Sequence, residues 1–276
     1  MCGSIFLIIT PKGVFHHEKA LIIGSTVVDV IVNLVDSLPT TGEDVHVRSQ
    51  HMSLGGCAYN VSDSVRHFQV PYILFSPVGT GVYGYFVREE LKKKGISSPI
   101  PSPDMDNGCC YCFVEKSGER TFISYHGAEY LFQKDWFNLI DTEEIDSVYI
   151  CGLEIEETTG SNVVEFLEKN PELTVFFAPG PRLTVIDPAL VNRIYNLSPI
   201  LHLNETEALE VSQKSSVSEA GAYLYSKTHN TVIITLGEKG CYYFDGTTEE
   251  IVPPVPTTQA DTIGQEIHTS ALSSPV

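Results

Sequence analysis

Two polar side chains near glycine-rich turns are the first candidates for ligand binding. Gly55 and Gly56 separate an alternating segment from a helical pattern, and Asn60 falls one turn into that helix. Paired glycines let a backbone approach a ligand closely, and a helix start exposes free amides. Asp29 follows the first apolar strand, where ligands bind in open α/β sheets. This set suits the binding of hydroxyl groups, although a tight turn at the glycines and a cap or turn role for Asp29 explain the same residues.

A second polar set lies further along the chain. Asn204 follows an apolar strand and opens a helix, with Glu207 three residues later. This spacing predicts a capping box, and it equally suits a hydrated Mg²⁺, which keeps several waters and few protein ligands. Thr235 ends the last strand of the series, and Gly237 and Gly240 follow it. These glycines would let the backbone pass over an adenine or a phosphate, or they simply lead into a hairpin.

Residues 79–84 match the pattern G-x-G-x-x-G after a strand and before a helix, which is typical of dinucleotide binding. The motif is not on the first strand–helix unit. The acidic residues about twenty positions later, Asp104 and Asp106, lie in a proline-rich turn rather than at the end of a second strand. A dinucleotide-dependent dehydrogenase is therefore a weaker hypothesis than the two functions given below.

The charge and the cysteines exclude several classes of protein. The formal net charge of −18 disfavours nucleic acid and anionic membranes as partners. It does not exclude a nucleotide, because helix N-termini and a bound Mg²⁺ supply local positive potential. The 7 cysteines lack metal-binding spacing. We therefore expect reduced thiols and a cytoplasmic protein.

The elements that position these residues alternate between strands and helices, which predicts a mostly parallel sheet covered on both faces. The predicted strands are 20–24, 72–76, 145–151, 173–178, 200–203 and 232–236, and the predicted helices are 57–68, 82–93, 158–169, 188–195, 205–211 and 218–228. Residues 45–52 and the hairpin 111–115 with 120–125 have period two and predict a small β-lid. A further hairpin is predicted at 241–244 and 250–252.

In this order the motifs resemble the ribokinase-like, PfkB-type carbohydrate kinase family, over about residues 20–264. The resemblance rests on G-S-x-x-x-D at 24–29, G-G-x-x-x-N at 55–60, N-E-T-E at 204–207, T-L-G-x-x-G at 235–240 and D-T-x-G at 261–264. Residues 79–84 also fit, since V-G-x-D-x-x-G is common in the family. Gly81 replaces the aspartate of that segment, which puts a role for that carboxylate in doubt.

The resemblance implies an α/β fold, with a central mostly parallel sheet flanked by helices and a small β-lid. It implies transfer of the ATP γ-phosphate to a hydroxymethyl group of a sugar or nucleoside, with Mg²⁺. By matching positions, the substrate residues would be Asp29, Gly55, Gly56, Asn60 and Glu154. The nucleotide residues would be Asn204, Thr235, Gly237, Gly240, Thr262 and Gly264, with Glu207 binding Mg²⁺ through water.

The main departure from the family follows Gly264. The family pattern continues as A-G-D, whose aspartate is the catalytic base and whose amides form an anion hole. Here Gln265, Glu266 and Ile267 follow, so that Ile267 occupies the base position. Since phosphoryl transfer depends on positioning and electrostatics, we expect little or no kinase activity from the chain as written.

The expected organisation is an N-terminal extension over 1–19, a kinase domain over 20–264 and an unrelated C-terminal tail over 265–276, with the chain truncated inside the family pattern. The lid segments are expected at about 40–53 and 108–126. The expected partners are a small sugar or nucleoside and a second copy bound through the lid, with no nucleic acid and no membrane. The alternative function is a non-catalytic sugar-binding or interaction protein on the same scaffold.

Overall fold

A computed structural model describes residues 19–254 of the chain. The predictions for Thr262, Gly264 and Ile267, for the 265–276 tail and for nearly all of the 1–19 extension lie outside the described residues. Within the described part, a large sheet carries helices on both faces and a smaller sheet covers one end. The predicted fold class is confirmed.

The large sheet has eight strands in the order β12-β11-β10-β9-β8-β7-β1-β4. Its strands from β4 to β10 run parallel, and β11 and β12 are antiparallel. Their bounds are β1 Lys19–Ile23, β4 Tyr72–Phe75, β7 Ile145–Cys151, β8 Thr174–Ala178, β9 Ile200–Asn204, β10 Val232–Thr235, β11 Cys241–Phe244 and β12 Glu249–Val252. The predicted strands all lie in this sheet, and the predicted bounds of β7 agree residue for residue.

Seven helices connect these strands in the described residues. They are α1 Cys57–His67, α2 Gly81–Lys93, α3 Gly152–Glu156, α4 Gly160–Lys169, α5 Pro188–Tyr195, α6 Glu205–Ser212 and α7 Val217–Thr228. None of the helices there is long and apolar enough to cross a membrane. Helix α3 is not in the sequence prediction, because five residues are too few to display a helical period.

Two apolar cores lie on opposite faces of the large sheet, and the alternation of strand side chains creates them. In β1, Leu21 and Ile23 join the core beneath α4 to α7, whereas Ile22 joins the core shared with α1, α2 and the smaller sheet. All three side chains are fully buried. Burial on both faces explains why the parallel strands have continuous apolar runs rather than alternating ones.

The smaller sheet, called the lid below, has four strands in the order β3-β2-β5-β6. They are β2 Val27–Leu34, β3 Val47–Gly55, β5 Cys109–Val114 and β6 Arg120–Tyr125. Strand β2 is absent from the sequence prediction, which places Asp29 in the turn after β1. Asp29 instead lies inside β2, opposite Ser53 and Cys110. The flanking Val28 and Val30 point into the core, so that Asp29 projects from the opposite face of the lid.

Candidate functional site

The strand order places a crevice between the ends of β1 and β7. The chain continues from β1 to β4 on one side and then crosses to β7 on the other side. Helices leave neighbouring strands in opposite directions at such a switch point, which opens a crevice at the carboxyl ends of the strands. The residues that follow β1 and β7 therefore lie where an open α/β sheet binds its ligands.

Glu154 joins the two sides of this crevice. It lies in α3, directly after β7, and its Oε1 accepts a hydrogen bond of 2.6 Å from the backbone N–H of Ser25, which follows β1. The side chain is 1% exposed, and burial raises the pKa of its carboxyl. Oε2 has no hydrogen-bond partner among the described residues. Glu154 therefore keeps one buried acceptor for a ligand or a water.

Gly55 and Gly56 pack the end of β3 against Asp29 and the Ser25 turn. A Cβ atom at Gly55 would lie 2.0 Å from Asp29 Oδ2, and one at Gly56 would lie 2.5 Å from the carbonyl oxygen of Ser25. Gly56 also has a φ of 95°, which L side chains rarely adopt. These two positions therefore require glycine, for close backbone approach rather than for a turn alone.

Asp29 and Asn60, beside Gly55 and Gly56, carry polar side chains that have no partner among the described residues. The Asp29 carboxylate makes no hydrogen bond or ion pair with a described residue, and burial raises its pKa to about 6. The Asn60 backbone N–H donates to Gly56 at 3.0 Å, but its side-chain amide has no hydrogen bond within the described part of the chain. Two half-buried polar groups without partners indicate a site that a polar ligand completes.

A cavity of about 190 Å³ follows the carboxyl ends of β7 to β10. Cys57, next to Gly56, belongs to its wall and connects it with the Asp29 and Asn60 cluster. Of the predicted nucleotide residues, Asn204, Glu207 and Thr235 line it. The full lining is Cys57, Tyr149, Cys151, Leu153, Ala178, Pro179, Gly180, Pro181, Arg182, His202, Asn204, Glu207 and Thr235.

Asn204 and Glu207 form the predicted capping box at the start of α6. The N–H of Glu207 donates to Asn204 Oδ1 at 2.8 Å, and the N–H of Asn204 donates to Glu207 Oε2 at 3.0 Å. The capping role does not exclude the second one, because both residues also belong to the cavity wall. The box fixes the Glu207 carboxylate at that wall, on a helix N-terminus that favours anions.

Gly237 and Gly240 stand apart from this cavity, although Thr235 lines it. Gly237 is exposed, at the start of a 3₁₀ turn, Gly237–Lys239. A Cβ atom at Gly240 would lie 2.0 Å from the carbonyl oxygen of Val252, so Gly240 allows the hairpin of β11 and β12 to close. In the described residues the structure thus accounts for Gly240 without a ligand.

Two groups in the cavity wall were missed by the sequence analysis. Arg182 forms a bidentate ion pair with Glu156, and burial lowers the pKa of His202 to about 4. Arg182 uses two of its five N–H donors for Glu156, and the others have no partner among the described residues, which suits an anionic ligand. No local pattern identifies either residue, since each acquires its position only when neighbouring strands pair.

The G-x-G-x-x-G segment packs α2 rather than a ligand. A Cβ atom at Gly84 would lie 1.9 Å from the carbonyl oxygen of Gly79, and one at Gly81 would lie 2.8 Å from Asp106 Oδ1. The Thr80 hydroxyl donates to the same Asp106 oxygen at 2.8 Å. Close helix–turn packing explains these glycines, and none of them lines the cavity.

The donor set at the cavity suits a hydrated Mg²⁺ rather than a metal held by protein alone. Among the described residues no three His, Cys, Asp or Glu side chains lie together as ligands. Mg²⁺ commonly uses one or two carboxylates with several waters and phosphate oxygens. Glu207, with Asn204 and Thr235 beside it, provides this kind of oxygen environment.

The mostly parallel sheet with helices on both faces and a smaller β-sheet defines the fold class, and comparison with known proteins identifies the family. Residues 17–264 match the pfkB family of carbohydrate kinases. The chain belongs to this family. It is 30% identical over 252 residues to the uncharacterized sugar kinase YegV of Escherichia coli, covering 90% of this chain and 78% of YegV. It is 26% identical over 242 residues to the ribokinase of Mus musculus, covering 84% and 73% of the two chains.

Solved structures share the fold. The ribokinase of Giardia lamblia superposes with a TM-score of 0.79 at 21% identity, covering 92% of this chain and 82% of that chain. An Arabidopsis thaliana ribokinase, solved with ribose and ATP, gives 0.73 at 18% identity, covering 92% and 84%. A putative ribokinase II from Escherichia coli, solved with ATP and Mg²⁺, gives 0.72 at 19% identity, covering 92% and 84%.

Proposed function

We propose that this chain is a PfkB-type sugar kinase scaffold that binds a sugar, or the sugar of a nucleoside, beneath the lid and Mg·ATP in the adjoining cavity. The observation that carries the proposal is the pair of half-buried polar side chains beside Gly55 and Gly56, Asp29 and Asn60, for which residues 19–254 provide no partner. A ligand with several hydroxyl groups would complete their hydrogen bonding.

The sugar side of the proposal uses three acceptors and donors around the Ser25 turn. Asp29 would accept hydrogen bonds from sugar hydroxyls, and the Asn60 amide would donate and accept. Glu154 keeps Oε2 without a partner in the described chain, while its Oε1 holds the Ser25 amide. The two glycines keep this floor free of side chains. These features support a small ligand with several hydroxyls at this position.

The nucleotide side of the proposal uses the cavity wall. Asn204 and Thr235 would border the phosphates, and Glu207 would hold Mg²⁺ through water. Bound Mg²⁺ would neutralise phosphate charge. Arg182 lines the same wall and supports an anionic occupant. Gly237 and Gly240 are proposed to border the nucleotide, and Thr262 and Gly264 to continue that border.

In the proposed reaction, the oxygen of a sugar hydroxymethyl group attacks the γ-phosphorus, the bond to the β–γ bridging oxygen breaks, and ADP leaves. The hydroxyl proton needs a base, and Ile267 provides none at the position that carries the aspartate in the family pattern. We therefore propose that the chain as written binds both substrates but transfers phosphate poorly or not at all. The alternative is a non-catalytic sugar-binding or interaction protein on the same scaffold, which would show sugar-dependent stabilisation without forming product.

Assembly and location complete the proposal. Apolar side chains are exposed along the outer lid strands, at Met52 in β3 and at Phe122, Ile123 and Tyr125 in β6. These surfaces support a homodimer formed through the lid.

An ATP-dependent kinase with free thiols suits the cytoplasm. We propose no nucleic-acid partner, given the net charge of −18.

Thermal unfolding in the presence of D-ribose, 2-deoxy-D-ribose, D-fructose and inosine tests the sugar site, because a ligand that binds only the folded chain raises its melting temperature. At least one of these compounds should do so. Gly55→Ala should abolish the increase, since the new methyl group displaces the Asp29 carboxylate.

The control is Gly118→Ala, in the exposed lid turn, where an added Cβ atom meets nothing within 4 Å. Because Gly118 has a φ of 91°, the alanine should lower the melting temperature without ligand, so the variant controls for destabilisation away from Asp29. Its melting temperature should still rise with the sugar. The sugar site would be refuted if Gly55→Ala responded as strongly as the unaltered chain, or if no sugar or nucleoside shifted the unaltered chain.

A further inference from the structure

Four chain segments connect the lid with the large sheet and its helices, and some of them lie close together. The chain enters β2 after Thr26, leaves β3 at Gly55, enters β5 after Gly108 and leaves β6 before Gly127. A Cβ atom at Gly127 would lie 2.4 Å from the backbone nitrogen of Gly108. The third and fourth lid connections, at the entry to β5 and the exit from β6, thus lie in direct backbone contact.

A buried carboxylate occupies this crossing. Glu129 Oε2 accepts a hydrogen bond of 2.7 Å from the N–H of Gly108, and Oε1 accepts one of 3.0 Å from the N–H of Gly127. The Glu129 side chain is 0% exposed, and no Lys or Arg among the described residues forms an ion pair with it. Burial raises the pKa of this carboxyl, and the two amide bonds lower it.

A carboxylate is the side chain that can serve both amides at once. Each of its oxygens only accepts, whereas a glutamine would present an NH₂ group to one of the two N–H donors. Leaving a buried donor without an acceptor is costly, as is burying an unpaired charge. Glu129 therefore accepts hydrogen bonds from two buried backbone amides, and these bonds offset the desolvation of its carboxylate.

The same short turn also reaches the sugar side. Glu129 lies in the 3₁₀ turn Ala128–Tyr130. The ring of Tyr130 stacks on His126 with centroids 4.0 Å apart. On the other side, Gly108 precedes β5, whose Cys110 lies opposite Asp29 in β2. The turn thus lies between the lid connections and the proposed ligand.

Asn107 secures the first lid connection in the same way. Its Oδ1 accepts from the N–H of Gly79 at 2.9 Å, and its Nδ2 donates to the carbonyl oxygen of Thr26 at 3.3 Å. With Glu129 beside it, the entry to β2, the entry to β5 and the exit from β6 are joined by two buried polar side chains.

We propose that Glu129 is a positioning residue: its carboxylate holds the Gly108 and Gly127 amides together and so fixes the lid strand that carries Asp29 over the sugar site. This inference rests on the proposed sugar site for its consequence in binding. The tie itself is a property of the chain without ligand.

Hydrogen exchange of the ligand-free protein tests the tie. In Glu129→Gln the amides of Gly108 and Gly127, with those of β5 and β2 near Asp29, should lose about tenfold in protection. Amides of β10 should keep theirs. The matched control is Leu224→Ala, a fully buried change in α7 that weakens the fold far from the lid. It should reduce protection broadly rather than at the lid connections.

A second, variant-free measurement covers the case in which Glu129→Gln does not fold. Since one carboxylate holds both amides, Gly108 and Gly127 should show equal protection in the unaltered chain. The tie is refuted if their protection factors differ by more than about tenfold, or if Glu129→Gln loses protection in the same pattern as Leu224→Ala.

The binding arm separates positioning from general destabilisation. Glu129→Gln should weaken D-ribose binding by about tenfold while leaving Mg·ATP binding unchanged, because ATP uses the wall of β8 to β10. A parallel loss of both affinities would contradict a positioning role. If the unaltered chain bound no sugar, the proposed function would fail, and the exchange result would still decide whether Glu129 ties the lid.

Discussion

Asp29, a proposed sugar-binding residue, lies in an unfavourable environment for a carboxylate. Its carboxylate has no partner in the described residues, and burial raises its pKa to about 6. A carboxyl with a pKa above its unfolded value of about 3.9 is destabilising when ionised. That destabilisation is absent below the unfolded pKa, develops as pH rises from about 4 to about 6, and stays constant above this range. A ligand that donates hydrogen bonds to Asp29 would offset it.

Asp29→Asn should therefore be more stable than the unaltered chain above pH 6, by on the order of 1 kcal/mol after allowance for partial exposure. The difference should vanish near pH 4. Urea unfolding from pH 4 to pH 8 measures it. A stability difference that did not change with pH would contradict the assignment of the raised pKa to Asp29.

At the residue scale, contacts between residues close in sequence could be predicted, whereas contacts between distant residues could not. The capping spacing of Asn204 and Glu207 is local, and the structure has both predicted hydrogen bonds. Glu154 came only from the family resemblance, and Glu129 was not predicted at all. Their hydrogen bonds join residues far apart in the chain, such as Glu154 with Ser25, and no short spacing contains that information.

At the scale of elements, the start of α6 has a capping role and a proposed Mg²⁺-binding role, which one substitution can separate. Glutamine replaces glutamate well in a capping box, but it carries no charge. Glu207→Gln should change the unfolding free energy by less than about 0.5 kcal/mol while weakening Mg²⁺-dependent ATP binding. Calorimetric titration with ATP, with and without Mg²⁺, measures the second effect.

Asn204→Ala is the matched variant for the capping role. It removes the acceptor for the Glu207 amide and should cost about 1 kcal/mol of unfolding free energy. If Glu207→Gln destabilised the fold as much as Asn204→Ala and left Mg²⁺-dependent binding intact, Glu207 would be a capping residue alone.

The large sheet was predictable because its strands are buried on both faces and have continuous apolar runs. The lid was predictable only in part. Strand β2 was missed because Asp29 and Asn33 interrupt an apolar segment directly after a glycine turn. That pattern favours a turn when it is considered without the pairing partners β3 and β5. Helix α3 was missed through its short length.

At the scale of the whole molecule, the net charge of −18 would oppose the binding of an anionic nucleotide in the proposed site. Local groups, namely Arg182 and the start of α6, favour the anion, while the distant charges oppose it. Free ATP should therefore bind about threefold more tightly as salt is raised from low to physiological ionic strength, because salt screens the distant charges first. Mg·ATP should respond less. Fluorescence titration across salt concentrations checks this, and a weakening for free ATP would contradict it.

ATP-dependent phosphorylation of the sugar and nucleoside panel tests the central claim most directly. The assay compares the chain as written with a chimaera in which Ala-Gly-Asp and the following YegV segment replace residues from Gln265 onward. The account predicts sugar binding in both proteins and phosphorylated product only in the chimaera. Comparable turnover in the chain as written would show that the aspartate absent at Ile267 is not needed, and a chimaera that bound sugar without forming product would contradict the kinase scaffold.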